Sequence, residues 1–386
     1  MAADDNCFSC AFGDLTLTRA SRSHSRTEQN LQAWDAADEL LLAHLAEQGV
    51  ADGARLLIAN DAFGALVTAL PTNTAIAFCS DSFLAARAAR ANLLANDKPD
   101  AHIAWHTSLD APQQPLDYLL IKLPKNLSLL EDQLYRYRHL CSASTQVIAA
   151  GMVKHMSAGA FDLFEKLLGT TATSLAKKKA RLIFCTPQEN CRQSGSSPYP
   201  LRYAFEARNL TLSNHANVFS RASIDIGTRF FLQQLPRAEA PLHIADLGCG
   251  NGLVGLAVAQ QMPQAHIDFY DESHMALASA KQNMCDHFPQ RADQCQFIAD
   301  DCMASANADQ YDYIFCNPPF HQHNVVGGFV ANQMFHDARR ALKTGGEFWV
   351  VGNRHLGYHV HLKRIFGNLV QVAANEKFVV LKVKKR

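Results

Sequence analysis

Between Leu31 and Leu45 the apolar residues Leu31, Trp34, Ala37, Leu40, Leu41 and Leu45 return at helical spacing, which predicts an amphipathic helix. The pattern then changes. Short, nearly continuous apolar runs at Arg55–Asn60, Ala75–Cys79, Tyr118–Ile121 and Gln146–Ala150 read as strands, and Ser82–Asn96 reads as a helix between two of them. Strands that are apolar on both faces and alternate with helices predict an α/β chain on parallel, doubly wound sheet. The same succession returns in the second half. Leu201–Leu212 alternates as strands or a hairpin, and His243–Leu247, Ala265–Tyr270, Gln296–Ala299, Tyr313–Cys316 and Gly346–Val351 are strands. Leu369–Ala374 and Phe378–Lys384 flank Asn375-Glu376, a turn signal that predicts a closing hairpin.

The two halves also match residue by residue. Ile58-Ala59 and Gly64 align with Ile244-Ala245 and Gly250. Phe78, Ser82, Ala85, Ala89 and Asn92 align with Phe269, Ser273, Ala276, Ala280 and Asn283. Asp117-Tyr118 and Pro124 align with Asp312-Tyr313 and Pro319. Three blocks in one order predict a duplicated domain. The boundaries expected are residues 1–185 for the first copy, 186–200 for an aperiodic linker rich in Pro, Gln, Ser and Gly, and 201–386 for the second copy. The copies diverge at their loops. Gly248-Cys249-Gly250-Asn251-Gly252 stands where the first half has Ala62-Phe63-Gly64-Ala65-Leu66, and Asn317-Pro318-Pro319-Phe320 where it has Lys122-Leu123-Pro124-Lys125. The first copy is therefore expected to keep the scaffold without the site, serving substrate recognition or stability.

Composition narrows the partners. The 386 residues are 48% hydrophobic, which suits a packed protein of two domains. Lys+Arg and Asp+Glu are equal at 36, so any nucleic-acid surface must be a local patch. Lys177-Lys178-Lys179 with Arg181 is the densest basic cluster, readable as a solvated helix end or as a phosphate contact. The 11 scattered cysteines read as reduced thiols, and Cys7-x-x-Cys10 lacks the second pair of a structural zinc site. No run is long and apolar enough to span a membrane, and the acidic amino terminus lacks a signal core. The expectation is a cytoplasmic chain.

Chemistry gathers at the ends of four successive strands of the second half. The first ends in Gly248-x-Gly250-x-Gly252, where glycines bring backbone close to a ligand at a helix N-terminus. The second ends in Asp271, an acid placed for ribose hydroxyls. Asp300-Asp301 ends the third and could accept from an adenine amine. The fourth ends in Asn317-Pro318-Pro319-Phe320. Its two prolines cannot continue a sheet and make a stiff corner. The Asn317 side-chain oxygen and the Pro318 carbonyl can each accept one hydrogen of a planar amine, aiming its lone pair, while Phe320 stacks on the ring. An ordinary Pro-Pro turn with a capping Asn is the plainer alternative for the tetrapeptide alone.

Taken together, Asp246–Gly252, Asp271, Asp301 and Asn317–Phe320 resemble class I S-adenosylmethionine (SAM) methyltransferases that act on amino groups. With Asn60–Leu66, His215–Arg221, Asp225-Ile226-Gly227, His321 and Asn375–Val380, the whole chain resembles the bacterial rRNA large-subunit guanine-N2 methyltransferases, a family with a small-subunit sister, RsmC. The resemblance implies two tandem Rossmann-like domains with mostly parallel seven-stranded sheets, the first degenerate. It implies methylation of the exocyclic N2 amine of one guanine in 23S rRNA. SAM would be held by the second domain through Asp246, Gly248, Gly250, Asn251, Gly252, Asp271, Asp301, Phe219, Asp225 and Gly227. Asn317, Pro318, Pro319 and Phe320 would be the catalytic residues. His321 and His323 are candidates for assisting proton loss. No metal and no membrane partner are implied, and the chain would act as a monomer. A 16S rRNA guanine, a protein glutamine amide, and a non-enzymatic role in ribosome assembly are the alternatives.

Overall fold

In each half of the chain a seven-stranded sheet forms with the same strand order. The computed structural model describes residues 6–22, 31–192, 195–221, 223–319 and 325–386, and the chain divides into the units Met1–Pro198 and Tyr199–Arg386. The first unit opens with a hairpin, β1 (Cys7–Cys10) and β2 (Gly13–Thr16). Its sheet comprises β3 (Arg55–Ala59), β4 (Ala75–Ser80), β5 (Ile103–Thr107), β6 (Tyr118–Lys122), β7 (Gln146–Met152), β8 (Gly169–Thr173) and β9 (Ala180–Pro187). These run in the order β5-β4-β3-β6-β7-β9-β8.

The second unit also opens with a hairpin, β10 (Leu201–Phe205) and β11 (Leu210–Asn214). The strands β12 (His243–Leu247), β13 (His266–Asp271), β14 (Gln296–Ala299), β15 (Tyr311–Cys316), β16 (Leu342–Asn353), β17 (Val370–Ala374) and β18 (Phe378–Lys384) follow. Their order is β14-β13-β12-β15-β16-β18-β17, the first arrangement strand for strand. In both sheets only the strand nearest the end of the unit is antiparallel to its neighbours. The order reverses between β12 and β15. Open α/β sheets bind ligands at such a switch point, outside the carboxyl ends of the strands.

The apolar runs are continuous because each sheet is buried on both faces. Along β3, Leu56 and Ile58 join one core while Leu57 and Ala59 join the other. Along β12, Ile244 faces one core and Ala245 and Leu247 the other. Ser82 caps the helix Phe83–Ala95 by accepting from Ala85 N at 3.2 Å, and Ser273 caps His274–His287 by accepting from Ala276 N at 3.1 Å.

The duplication extends to buried amides. Asn92 donates to the Thr18 and Phe63 carbonyls and accepts from Thr18 N. Asn283 donates to the Ser213 and Asn251 carbonyls and accepts from Ser213 N. Phe63 therefore stands where Asn251 stands, which corrects the loop alignment by two residues: Gly64 corresponds to Gly252, not Gly250. Both cap their helices with positive φ, 81° and 78°. A Cβ on either would run into an alanine of the next helix, Ala89 or Ala280.

Two further expectations change. Thr186 and Pro187 complete β9, a helix covers Glu189–Arg192, and Ser197 donates to Asp132 at 2.6 Å. The stretch 186–200 thus belongs mostly to the first unit, which ends at Pro198; pairing with β8, not local composition, decides this. The cluster Lys177–Lys179 lies in the turn from β8 to β9 and ends no helix, and Lys178 pairs with Glu39 at 2.6 Å. No helix among the described residues is long and apolar enough to cross a membrane.

Candidate active site

The glycine loop leaves the end of β12 at the switch point and has three jobs. Gly248, Gly250 and Gly252 all have positive φ, 70°, 54° and 78°, a region L side chains disfavour. Gly252 is needed for the close approach to Ala280, and a Cβ on Gly248 would crowd Met334 at 3.2 Å. A Cβ on Gly250 would meet nothing within 4 Å. The ground over Gly250 is thus the open face of the loop, where a ligand can lie against backbone. Asn251 does not reach toward that face through its amide: Nδ2 donates to Asn214 Oδ1 at 2.8 Å and Oδ1 accepts from Leu253 N at 3.2 Å, tying the loop to β11.

Two acids support the loop. Asp246 is buried, and its Oδ2 accepts from Gly255 N at 2.8 Å, anchoring the helix Leu253–Gln261. Burial pushes its carboxyl up to about 8. Asp271, at the end of β13, accepts from Gly250 N through Oδ2 at 2.9 Å and from Ser273 N through Oδ1 at 3.0 Å. It thus stands beside Gly250, on which a Cβ would meet nothing within 4 Å. At the end of β14, Asp300 is turned inward and accepts from Asp301 N, Ser305 N and Ser305 Oγ. Asp301, the next residue, is half-buried.

β15 ends at Cys316, as the two prolines require. Asn317 Nδ2 donates to Thr228 Oγ1 at 2.8 Å. Thr228 is fixed in turn, because its N–H donates to the Asp225 cap at 2.8 Å in the first turn of the helix Ile226–Leu232. With the amide nitrogen spent, the oxygen is left over: among the described residues Asn317 Oδ1 is buried and has no hydrogen-bond partner. A buried acceptor without a donor is costly and rare, so the geometry fits a donor brought by a ligand. Beneath it Phe315 packs against Phe231 and Trp349, a stiff aromatic floor. Phe320, His321 and His323 lie outside the described residues.

Two of the remaining residues assigned from the sequence, Asp225 and Gly227, have structural work here. Asp225 is the helix cap just described. A Cβ on Gly227 would strike the Phe378 ring at 2.8 Å, so this glycine is a packing position. Phe219 is 67% exposed. Sequence reasoning missed Thr228; its spacing of three from Asp225, that of a helix cap and its N3 residue, was the available signal.

The first unit explains its own loss of the site. Asp61 accepts four helix N–H groups, from Gly64, Ala65, Leu66 and Val67, at 2.9–3.1 Å. The helix end that a ligand would need is filled by the chain's own carboxylate. Ser80 takes the place of Asp271, two residues after Phe78 as Asp271 is after Phe269. At the position of Asn317, Lys122 pairs with Asp35 at 2.7 Å and Asp38 at 2.6 Å, the cap and N3 residues of the helix Ala36–Gln48. Burial pushes Asp38 up to about 7 and also raises Asp61. Lys122→Met should therefore cost about 3–5 kcal/mol, the scale for orphaning a buried charge. A buried carboxyl with a folded pKa above its unfolded value adds stability at low pH that is lost as it ionises. The variant's deficit in thermal unfolding should accordingly widen as pH rises above the ordinary carboxylate range; a deficit independent of pH would show that these acids do not depend on Lys122.

Residues 5–189 match the family described as "RLMG N-terminal domain", and residues 209–382 match "Methyltransferase small domain". The chain is 47% identical over 378 residues to "Ribosomal RNA large subunit methyltransferase G" of Pseudomonas paraeruginosa, covering 98% of this chain and 99% of that protein. It is also 47% identical over 361 residues to the protein of the same name from Stutzerimonas stutzeri, covering 94% and 95%. Among solved structures, T. thermophilus 16S rRNA methyltransferase RsmC in complex with AdoMet and guanosine superposes with a TM-score of 0.76 at 20% identity, over 98% of this chain and 97% of that one. At that identity the likeness is one of fold. Fold, glycine loop and domain match define the second unit as a class I SAM-dependent methyltransferase domain. The chain as a whole, matched from end to end, belongs to the ribosomal RNA large subunit methyltransferase G family.

Proposed function

We propose that this enzyme methylates the exocyclic N2 amine of one guanine in 23S rRNA. The observation that carries the reading is the Asn317 amide, with its nitrogen held by Thr228 and its buried oxygen unpartnered. The names of the relatives supply the large-subunit rRNA, and the resemblance of the whole chain supplies the guanine. SAM, when bound, supplies a methyl group on a positively charged sulfur. Gly250 and Gly248 give it backbone to lie against, Asp271 takes the ribose hydroxyls, and Asp301 stands at the adenine end. Asp246, beneath the loop, holds the helix N-terminus that faces the methionine part.

The guanine must leave its stack to enter the site. Asn317 Oδ1 accepts one N2 hydrogen and the Pro318 carbonyl the other, drawing the nitrogen toward tetrahedral geometry. Pro319 stiffens the corner, and Phe320 is assigned the ring face. The N2 lone pair forms the new N–C bond as the C–S bond breaks, and the cationic product amine, now acidic, gives its proton to water. No dedicated base is required. Positioning supplies most of the rate.

A local basic face supports an RNA partner despite the zero net charge. Arg354, His355, His359, Lys363 and Arg364 are exposed on the turn and helix that follow β16, and no carboxylate occurs between residues 354 and 366. The same reading has the enzyme working in the cytoplasm as a monomer without a metal, with the first unit recognising rRNA. Residues 199–386 alone should then bind SAM as the full chain does, by calorimetry. They should methylate rRNA less well by on the order of 10²-fold, the scale on which a tethered module adds avidity. Normal methylation by that fragment would remove recognition from the first unit.

The reaction is tested with tritiated SAM and protein-free 23S or 16S rRNA from cells lacking the gene, followed by nucleoside analysis. Label in N2-methylguanosine of 23S rRNA is the expected result. Label confined to 16S rRNA, or absent from both while SAM binds, would overturn it.

A further inference from the structure

Asn353 ends β16, the strand beside β15, and it is 6% exposed. Like Asn317, it has a side-chain oxygen that is buried without a hydrogen-bond partner among the described residues. The two amides lie on one face of the sheet. In the parallel ladder Phe315 pairs with Trp349 and Cys316 with Val350. Phe315, Trp349 and Val351 share one core, and Cys316 and Val350 the other. Alternation along the strands therefore sets Asn317 and Asn353 on the side of Phe315 and Trp349. Phe378, which pairs with Asn353 and packs against Gly227, belongs to that same core. Asn317 is also turned toward Thr228, one residue after Gly227. Asn353 thus flanks the Asn317 corner at the carboxyl rim of the sheet.

Two unpartnered acceptors on one rim call for a ligand with two donors. Guanine carries N1–H and N2–H₂ side by side on its Watson–Crick edge, and no other RNA base has adjacent donors there. We propose that Asn353 is the guanine-selecting residue, with its Oδ1 accepting N1–H of the base whose N2 amine is held by Asn317. This rests on the proposed N2-guanine reaction and adds to it the means by which the base is chosen. It also accounts for an otherwise costly pair of buried, unsatisfied amide oxygens at neighbouring strand ends. Adenine and cytosine would set a ring acceptor against the Asn353 oxygen, and an unpaired acceptor facing another acceptor is the arrangement by which a polar site rejects a near-isostere.

The test compares guanine with 2-aminopurine, which keeps the amine at C2 and lacks N1–H, at the mapped position of an RNA fragment. Wild-type enzyme should prefer guanine in kcat/KM by on the order of 10-fold or more, the worth of one such hydrogen bond. In Asn353→Leu, close in volume and without an acceptor, guanine should fall and the preference should collapse toward one, with the SAM Kd and Tm near wild type. Asn353→Ala, which also lacks an acceptor, serves the same comparison should the leucine variant fold poorly. A guanine preference unchanged in variants that fold and bind SAM would overturn the proposal and leave Asn353 as a water-binding residue of the strand end. Failure of the parent reading looks different: wild-type label would then be missing from N2-methylguanosine altogether, whatever stands at residue 353.

Discussion

Asn317→Ala should lower kcat for rRNA methylation by on the order of 10²–10³-fold, the usual effect of removing one preorganised polar group from a transition state, and leave the SAM Kd nearly unchanged. The amide is oriented by Thr228, so its oxygen waits as an acceptor before substrate arrives. An amine conjugated to an aromatic ring attacks poorly until its lone pair is released from the ring. Holding one of its hydrogens off the ring plane is useful mainly in the transition state, so the loss should fall on kcat more than on KM. Asn317→Asp should lose less than Asn317→Ala. A carboxylate still accepts the amine hydrogen, and the Thr228 hydroxyl, which donates to Asp225 Oδ2 at 3.3 Å, can turn its one proton to the new carboxylate instead. Single-turnover rates with saturating SAM, alongside calorimetric SAM binding, check both statements. Equal activity in wild type and Asn317→Ala would end the assignment.

Asp271→Ala should act on the other half of the site. Its carboxylate spans the rim, accepting from Gly250 N and Ser273 N, and it borders the one face of the glycine loop that is open. Removing it leaves the Gly250 N–H without its acceptor and takes away the proposed ribose ligand together. We expect SAM affinity to fall by roughly 2–3 kcal/mol, or about 30- to 150-fold in Kd. Asp271→Asn keeps a neutral acceptor for Gly250 and should fall between. Titration calorimetry decides the matter: an unchanged Kd with a reduced kcat would move Asp271 from cofactor binding to loop support alone. The first unit already carries a serine at this position, with Lys122 and Asp61 filling the rest of the site.

Much of the architecture was legible from local pattern. Continuous apolar runs marked most central strands to within a residue or two, since a strand buried on both faces has no polar alternation to blur its ends; β16 is the exception and begins four residues before the run Gly346–Val351 that marked it. The runs missed or misread were those whose burial depends on a distant partner. β9 was not predicted, and the first copy was ended at residue 185 because Thr186 and Pro187 look like linker, yet they pair with Thr170 and Gly169 of β8. The hairpin β1–β2 passed unnoticed although it repeats β10–β11; Asn92, on the helix Phe83–Ala95, holds the backbone of Thr18 just after β2 as Asn283 holds that of Ser213 in β11.

The site divides the same way. Residue types and their order along the chain determined the duplication, the glycine loop, the acids after β13 and β14, and the Asn-Pro-Pro corner, because each depends on backbone chemistry within a few residues. Only the tertiary structure decided which of those groups are spent. It committed Asp246 to Gly255, Asp300 to Ser305, Asn251 to Asn214 and Gly252 to Ala280. It left open the face of Gly250 and the oxygens of Asn317 and Asn353. A sequence records which donors and acceptors a chain owns; pairing across strands far apart in sequence determines which of them remain for a substrate.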